Sequence, residues 1–245
     1  MDNNDPAQAE SFGRVAGQYE RGRPSYPVEA VEWLVPRTAR HVLDLGAGTG
    51  KLTKLLVDLG LDVVAIDPSA EMLERLDATV DDATSAVGRA ENIPLPDASV
   101  DAVLVGQAWH WVDADRAVPE VARVLRPGGT LGLIWNIRDD RAPWVARLNA
   151  IMREANAERF LANPTLPGPP FGAAELREFS WAQAFDRPLL LDMVASRSPF
   201  ITATAEEQDA VLADVARFLD TDPDLAGAGN WQLPYRTVCF RMTLR

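Results

Sequence analysis

Five short runs of aliphatic and β-branched residues recur through the first half of the chain: His41 to Leu45, Val63 to Ile66, Ser85 to Val87, Val100 to Val105 and Leu131 to Trp135. Between them the apolar positions follow a helical period over Gly50 to Leu59, Ser69 to Ala78 and Ala114 to Leu125. The second stretch opens with Asp-Pro-Ser, and Arg126-Pro127-Gly128-Gly129 ends the third. Continuous apolar strands alternating with helices predict a parallel sheet covered on both faces, a doubly wound α/β architecture. Past Asn136 the rhythm changes. A helix is expected over Trp144 to Leu161, followed by a turn-rich segment from Asn163 to Pro170. Thr204-Ala205-Glu206-Glu207 is a capping box that leads into Val211, Leu212, Val215, Phe218 and Leu219 at helical spacing. At the C-terminus Val238, Phe240, Met242 and Leu244 alternate with Thr237, Cys239, Arg241 and Thr243, the pattern of an antiparallel edge strand with one wet face.

These elements suit one domain over 1–245. It comprises an N-terminal segment (1–36), a core (37–136), an insertion over the carboxyl edge of the sheet (137–200), and a C-terminal helix with its edge strand (201–245). A hydrophobic content of 47 % is that of a chain with a sizeable core. A single cysteine excludes an internal disulfide framework, and neither a basic-apolar leader nor a run of about eighteen apolar residues occurs. The expectation is a cytoplasmic protein without a membrane partner. The net charge of −12 repels polyanions, which argues against nucleic acid. Arg14, Arg21 and Arg23 nevertheless gather near the N-terminus, where they suit a small anion.

The chemistry starts at Asp44-Leu45-Gly46-Ala47-Gly48-Thr49-Gly50-Lys51-Leu52, a strand end, a glycine turn and a helix start. A phosphate-binding Walker loop needs four residues between its first glycine and Gly-Lys, then Ser or Thr. Here three residues intervene and Leu52 follows Lys51. A dinucleotide fingerprint needs a third glycine where Lys51 stands. The remaining plan has an acid, Asp44, two residues before Gly-x-Gly-x-Gly: the glycines let the backbone approach an amino-acid or ribose moiety, and the acid orients polar groups near the turn. Asp67 ends the second strand, where a carboxylate can accept hydrogen bonds from both ribose hydroxyls. A nucleoside cofactor is implied.

With Gly88-Arg89-Ala90-Glu91-Asn92-Ile93-Pro94, Ser99-Val100-Asp101 and Leu125-Arg126-Pro127-Gly128-Gly129 added, the chain from Arg23 to Asn136 resembles the class I S-adenosylmethionine-dependent methyltransferases. Phe12, Ala16, Tyr19, Arg23-Pro24, Tyr26-Pro27 and Gln107-Ala108-Trp109-His110-Trp111 are similar to the branch that contains trans-aconitate and related small-molecule methyltransferases. The resemblance implies a Rossmann-like, seven-stranded, mostly parallel sheet whose last strand is antiparallel. It further implies that Gly46, Ala47 and Gly48 line the methionine portion of the cofactor, that Asp67 holds the ribose with Pro68 and Met72 near the adenine, and that Ala90 and Glu91 face the adenine edge. Tyr19 and Arg23 become candidates for the cofactor carboxylate. Arg89 departs from the family, where many relatives carry an acid.

Ligands on open α/β sheets bind outside the carboxyl ends of the strands. Gln107, Trp109, His110 and Trp111 leave the fourth strand at that edge, and Trp135 and Asn136 leave the fifth. Gln107 is therefore a cofactor candidate that can also orient polar acceptor atoms. Trp109, Trp111, Trp135 and Asn136 are acceptor-binding candidates, and His110 is the candidate catalytic residue, either as a positioning group or as a general base. His41 begins the first strand, at the opposite edge. No His, Cys and carboxylate set has metal-ligand spacing, and no metal is expected. The reading is S-adenosylmethionine-dependent methyl transfer to a small organic acceptor, at a carboxylate or hydroxyl oxygen. Its rivals are a non-catalytic S-adenosylmethionine-binding module and a nicotinamide-dependent oxidoreductase on a related fold.

Overall fold

The computed structural model describes residues 22–153, 155–227 and 230–245. Seven strands form one sheet in the order β3-β2-β1-β4-β5-β7-β6: β1 (His41–Leu45), β2 (Asp62–Asp67), β3 (Ala83–Val87), β4 (Val100–Gly106), β5 (Leu125–Arg138), β6 (Glu175–Phe185) and β7 (Trp231–Thr243). Strands β1 to β5 pair in parallel, whereas β7 runs antiparallel to both β5 and β6. The chain winds outward from β1 to β3 and then returns to β4 on the other side. The crevice at the carboxyl ends of β1 and β4 is thus the topological switch point where such sheets bind ligands.

Helices cover both faces. On one side α1 (Val28–Leu34) and α2 (Lys51–Asp58) pack Ala30, Val31, Leu34, Leu52 and Leu56 against Val42, Val63, Ala102, Leu104 and Ile134. On the other, the helix α4 (Ala114–Val124) buries Ala117, Val121 and Val124 against Leu43, Val103, Val105 and Leu131. Between these two helices in sequence, α3 (Ala70–Asp77) is capped by the Ser69 hydroxyl, which accepts from the Met72 N–H. It buries Leu73 and Leu76 beside Ala47.

The second half departs from expectation in three ways. Arg153, at φ +60°, divides the expected helix from Trp144 to Leu161 into α5 (Pro143–Met152) and α6 (Asn156–Ala162). Segment 137–200 is more than a cover over the carboxyl edge, because it contributes β6 and then α7 (Arg187–Ala195) and the short α8 (Ser198–Ile201). Finally, β7 is not an edge strand. β6 occupies the edge, and the face of β7 expected to be wet is largely covered: Thr237 and Cys239 are fully buried, and Arg241 lies over the Trp33 ring of α1 with its charge centre 4.4 Å from the centroid. The last helix, α9 (Ala205–Thr221), starts at the Thr204 capping box and packs Val215, Phe218 and Leu219 against α5 and α7.

Candidate active site

A cavity of about 480 Å³ opens at the switch point. One wall is the glycine turn. Gly46, Gly48 and Gly50 have φ of +77°, +56° and +88°, values that L side chains rarely adopt, and a Cβ on Gly46 would meet Ala108 at 2.7 Å. The turn is tied to the next strand, since the Gly46 and Ala47 N–H groups both donate to the Ile66 carbonyl at 2.7 and 3.1 Å. Asp67 completes this wall. Its two carboxylate oxygens accept from the Gly48 and Ser69 N–H groups at 2.9 and 2.8 Å. Burial pushes its carboxyl above the ordinary value, while those two N–H bonds and Arg89 act the other way.

Pro68, Met72, Gly88, Arg89, Ala90 and Glu91 continue the cavity wall. Glu91 Oε1 accepts the Asp113 N–H at 2.9 Å, joining the turn after β3 to the start of α4. Arg23, Gln107, His110 and Trp111 line the far end, with Ala155, Ala157 and Ser198 from the α6 to α8 region above them. That upper wall is braced by charge: Glu158 on α6 lies between Arg138 at 2.5 Å and Arg197 at 2.8 Å, and it also accepts the Ala155 N–H at 2.6 Å.

A second, smaller cavity of about 40 Å³ shares Arg23, Gly46, Gly48, Gly106 and Gln107 with the first and is lined also by Asp44, Ala47 and Thr49. Asp44 Oδ2 accepts from the Thr53 hydroxyl at 2.6 Å, whereas Asp44 Oδ1, Thr49 Oγ1 and Gln107 Oε1 are buried without a hydrogen-bond partner. Burial raises the Asp44 carboxyl to about 7. Gln107 is held at φ +56° and donates through Nε2 to the Asn136 carbonyl at 3.0 Å, so its carbonyl oxygen is fixed in place. Orphaned buried acceptors cost about 1–3 kcal/mol each. Their convergence on one cavity marks a place built to receive donors.

The sequence candidates therefore separate into two groups. Arg23, Asp44, Gly46, Ala47, Gly48, Asp67, Pro68, Met72, Ala90, Glu91, Gln107, His110 and Trp111 line one cavity or both. Trp109, Trp135 and Asn136 do not. Trp109 is 2 % exposed and anchors the turn after β4 in the main core, because its large apolar ring fills that layer. Trp135 is fully buried, stacked on Phe160 at 5.1 Å, and it reaches the site only through its Nε1–H, which donates to His110 Nδ1 at 3.2 Å. Asn136 has its polar atoms occupied: Nδ2 donates to the Ser25 carbonyl at 2.9 Å, and Oδ1 accepts from the Thr237 hydroxyl at 2.6 Å. It ties the segment carrying Arg23 to β5 and β7 instead of facing an acceptor. Tyr19 lies outside the described residues. His41 is exposed at the far edge, 3.3 Å from Asp62. Among the described residues no group of His, Cys, Asp and Glu is arranged to hold a metal ion.

Sequence reasoning missed Ala155, Ala157 and Ser198, which come from segments whose placement depends on tertiary packing alone. It also missed Arg116 on α4, which lines the cavity, and Thr53, the hydroxyl partner of Asp44 nine residues along the chain. A Thr on the first helical turn after the loop was the available signal for Thr53.

A nucleoside-sized cavity at the switch point of a 3-2-1-4-5-7-6 sheet, walled by a glycine turn and a strand-end aspartate, defines a Rossmann-like enzyme. Residues 43–133 match the family described as a methyltransferase domain. The chain is 54 % identical to an uncharacterized methyltransferase of Mycobacterium tuberculosis over 96 % of both chains. It is 36 % identical over 52 % of both chains to a malonyl-[acyl-carrier protein] O-methyltransferase of Pectobacterium atrosepticum. A solved structure from Anaeromyxobacter dehalogenans, named a "putative type II methyltransferase", superposes with a TM-score of 0.70 at 27 % identity, covering 91 % of this chain and 97 % of that one. This chain belongs to the class I S-adenosylmethionine-dependent methyltransferases. Membership removes the nicotinamide oxidoreductase from consideration. Among the described residues no helix is long and apolar enough to cross a membrane.

Proposed function

We propose that the enzyme binds S-adenosylmethionine across the two cavities and transfers its methyl group to an oxygen of a small organic acceptor, a carboxylate or a hydroxyl. The observation that carries the cofactor's placement is the trio of unpartnered buried oxygens on Asp44, Thr49 and Gln107 around the smaller cavity. An ammonium group has three N–H donors, takes about the room of a water molecule, and brings a positive charge that suits the Asp44 carboxylate. A nucleoside with an amino-acid tail therefore fits better here than a dinucleotide. Asp67 keeps lone pairs for the ribose hydroxyls while its N–H partners hold it rigid. Met72, Ala90 and Glu91 flank the adenine position, and Arg23 serves the cofactor carboxylate, where a guanidinium can bind in two-pronged fashion.

When bound, the sulfonium supplies an electrophilic methyl carbon, so the protein needs to align the acceptor, exclude water and handle at most one proton. Trp111 and His110 flank the acceptor, and the wall from Ala155 to Ser198 closes it off. The malonyl-[acyl-carrier protein] relative, named for O-methylation, favours oxygen as the methylated atom. The narrower likeness to the trans-aconitate branch rests on the motifs around Arg23 and Gln107 alone. A cytoplasmic location is part of this reading, as is a small-molecule acceptor. Incubation with methyl-labelled S-adenosylmethionine and a panel of small carboxylates, phenols and alcohols tests it. Label is expected in an organic product, with His110→Ala slowing transfer; absence of any labelled product across the panel would favour a binding module without catalysis.

A further inference from the structure

His110 and Trp135 form a pair that no acceptor reading of either residue alone explains. An indole Nε1–H can only donate, so the atom it meets, His110 Nδ1, must carry a lone pair. A neutral imidazole has one proton, which is thereby assigned to Nε2, the nitrogen left for the cavity that His110 lines. The ring is enclosed by aromatic neighbours: Trp111 at 5.0 Å, Phe160 at 6.5 Å, and Trp135 itself, stacked on Phe160 and edge-on to Phe240. Among the described residues the charged group that acts on it is Arg23. Burial, reinforced by Arg23, pushes His110 down to about 3, so the imidazole stays neutral through the physiological range.

We propose, building on the methyltransferase reading above, that Trp135 locks His110 as an Nε2–H donor, so that His110 orients the acceptor without deprotonating it, and that the acceptor is consequently an ionised carboxylate. A general base needs a free lone pair where the acceptor proton sits, and the only lone pair of this imidazole is spent on Trp135. The other carboxylates at or near the described cavity walls have tasks of their own: in the reading above Asp44 meets the cofactor ammonium and Asp67 the ribose, Glu91 accepts the Asp113 N–H, Asp113 caps α4 through the Asp115 N–H, and Glu158 pairs with Arg138 and Arg197. An alcohol would have to lose a proton during transfer, whereas a carboxylate has none to lose. One carboxylate oxygen accepts from His110 Nε2–H while a lone pair of the other forms the new O–C bond. The C–S bond breaks with its electron pair going to sulfur, and anion plus sulfonium become a neutral ester and a neutral thioether with no proton released. Trp135 is then a positioning residue, acting through the imidazole.

The chain has two histidines, so long-range 1H–15N spectra of labelled protein, with His41→Gln for assignment, read the His110 tautomer directly. The expected spectrum has a protonated Nε2 and an unprotonated Nδ1, with no titration between pH 5 and 8. Trp135→Phe, which keeps the ring stack but not the N–H, should mix the tautomers and raise the midpoint. A protonated Nδ1, or a wild-type midpoint between pH 6 and 7, would overturn the proposal without need of any variant. In a second arm, acetate, succinate and citrate are titrated into the S-adenosylhomocysteine complex against phenol and catechol. A shift of the Nε2–H signal with a carboxylate and not with a phenol is expected; a shift with phenols alone, or with none of the five, would overturn the assignment of the donor to a carboxylate. Failure of S-adenosylhomocysteine to bind would instead sink the cofactor reading, while the tautomer spectrum would still stand or fall by itself.

Discussion

Replacing Asn136 by alanine probes the joint between the site and its scaffold. Asn136 is 8 % exposed, and its two side-chain hydrogen bonds run to different parts of the chain: 2.9 Å to the Ser25 carbonyl in the segment that carries Arg23, and 2.6 Å from the fully buried Thr237 on β7. Thr237 in turn accepts from Trp181 Nε1 at 2.8 Å on β6, so the relay reaches the far edge of the sheet. Two neutral hydrogen bonds contribute about 1 kcal/mol each, and a buried hydroxyl proton left without an acceptor adds about 1 kcal/mol or more. The expected loss is about 3 kcal/mol, or roughly 6–12 °C in Tm for a chain of this size. Thr237→Val should cost about as much, because it removes both the bond to Asn136 Oδ1 and the one from the Trp181 Nε1–H and leaves those two groups without a partner. The double variant should cost less than the two single changes added together, since the orphaned groups are removed as a pair. Asn136→Asp keeps the acceptor for Thr237 but sets a carboxylate against the Ser25 carbonyl, so it should weaken cofactor affinity more than its effect on Tm would suggest. Urea denaturation and calorimetry measure both. A change under about 0.5 kcal/mol in Asn136→Ala, or strict additivity with Thr237→Val, would refute the relay.

Two further consequences concern buried charge. Burial raises the Asp44 carboxyl from 3.8 to about 7. Within that window the folded chain holds a proton that the unfolded chain has released, so this group's contribution to stability is full below the unfolded value and is lost as pH rises towards 7. Asp44→Asn cannot ionise and should therefore gain stability relative to wild type between pH 5 and 8, while weakening S-adenosylhomocysteine. A difference between the two proteins that is the same at both pH values would show that Asp44 does not titrate there. Wild-type affinity for S-adenosylhomocysteine should rise through the same window, as the ionised carboxylate meets the ammonium group; flat affinity from pH 6 to 8 by calorimetry would count against that contact. Glu158→Ala strips the carboxylate from Arg138 and Arg197, whose side chains are 7 % and 4 % exposed. It should cost about 3–5 kcal/mol in denaturant melts, because like charges are left buried together. A loss under about 1 kcal/mol would mean the triad does not brace the α6 wall.

The parallel half of the sheet was legible because its strands are buried on both faces and its helices on one. His41 to Leu45 matches β1 at both ends, and Ala114 to Leu125 differs from α4 by one residue. The glycine turn and Asp67 were legible for a different reason: positive φ and a strand-end carboxylate leave marks in residue type. The β7 alternation was read with the right period but placed at the sheet edge. Arg241 is a surface-type residue by sequence, and only tertiary packing shows that it lies over Trp33. β6 escaped because its residues, from Glu175 through Gln183, are mostly exposed or half-buried and carry charge, as an edge strand's do. The aromatic cluster was read as a set of acceptor contacts. Sequence order cannot tell which indole turns inward, and Trp109 and Trp135 proved to be core while Trp111 and His110 face the cavity.

The central claim is that the cavity at the β1–β4 switch point holds an S-adenosyl cofactor through Asp67. Isothermal titration of S-adenosylhomocysteine into wild type and Asp67→Ala, with NAD as a control, tests it most directly. Micromolar wild-type affinity, no heat from NAD, and a loss of about 1.5–3 kcal/mol in the variant, roughly ten-fold to more than a hundred-fold in Kd, are predicted from a hydrogen-bonded carboxylate. Equal affinity in the two proteins, or binding of NAD in preference, would contradict the account.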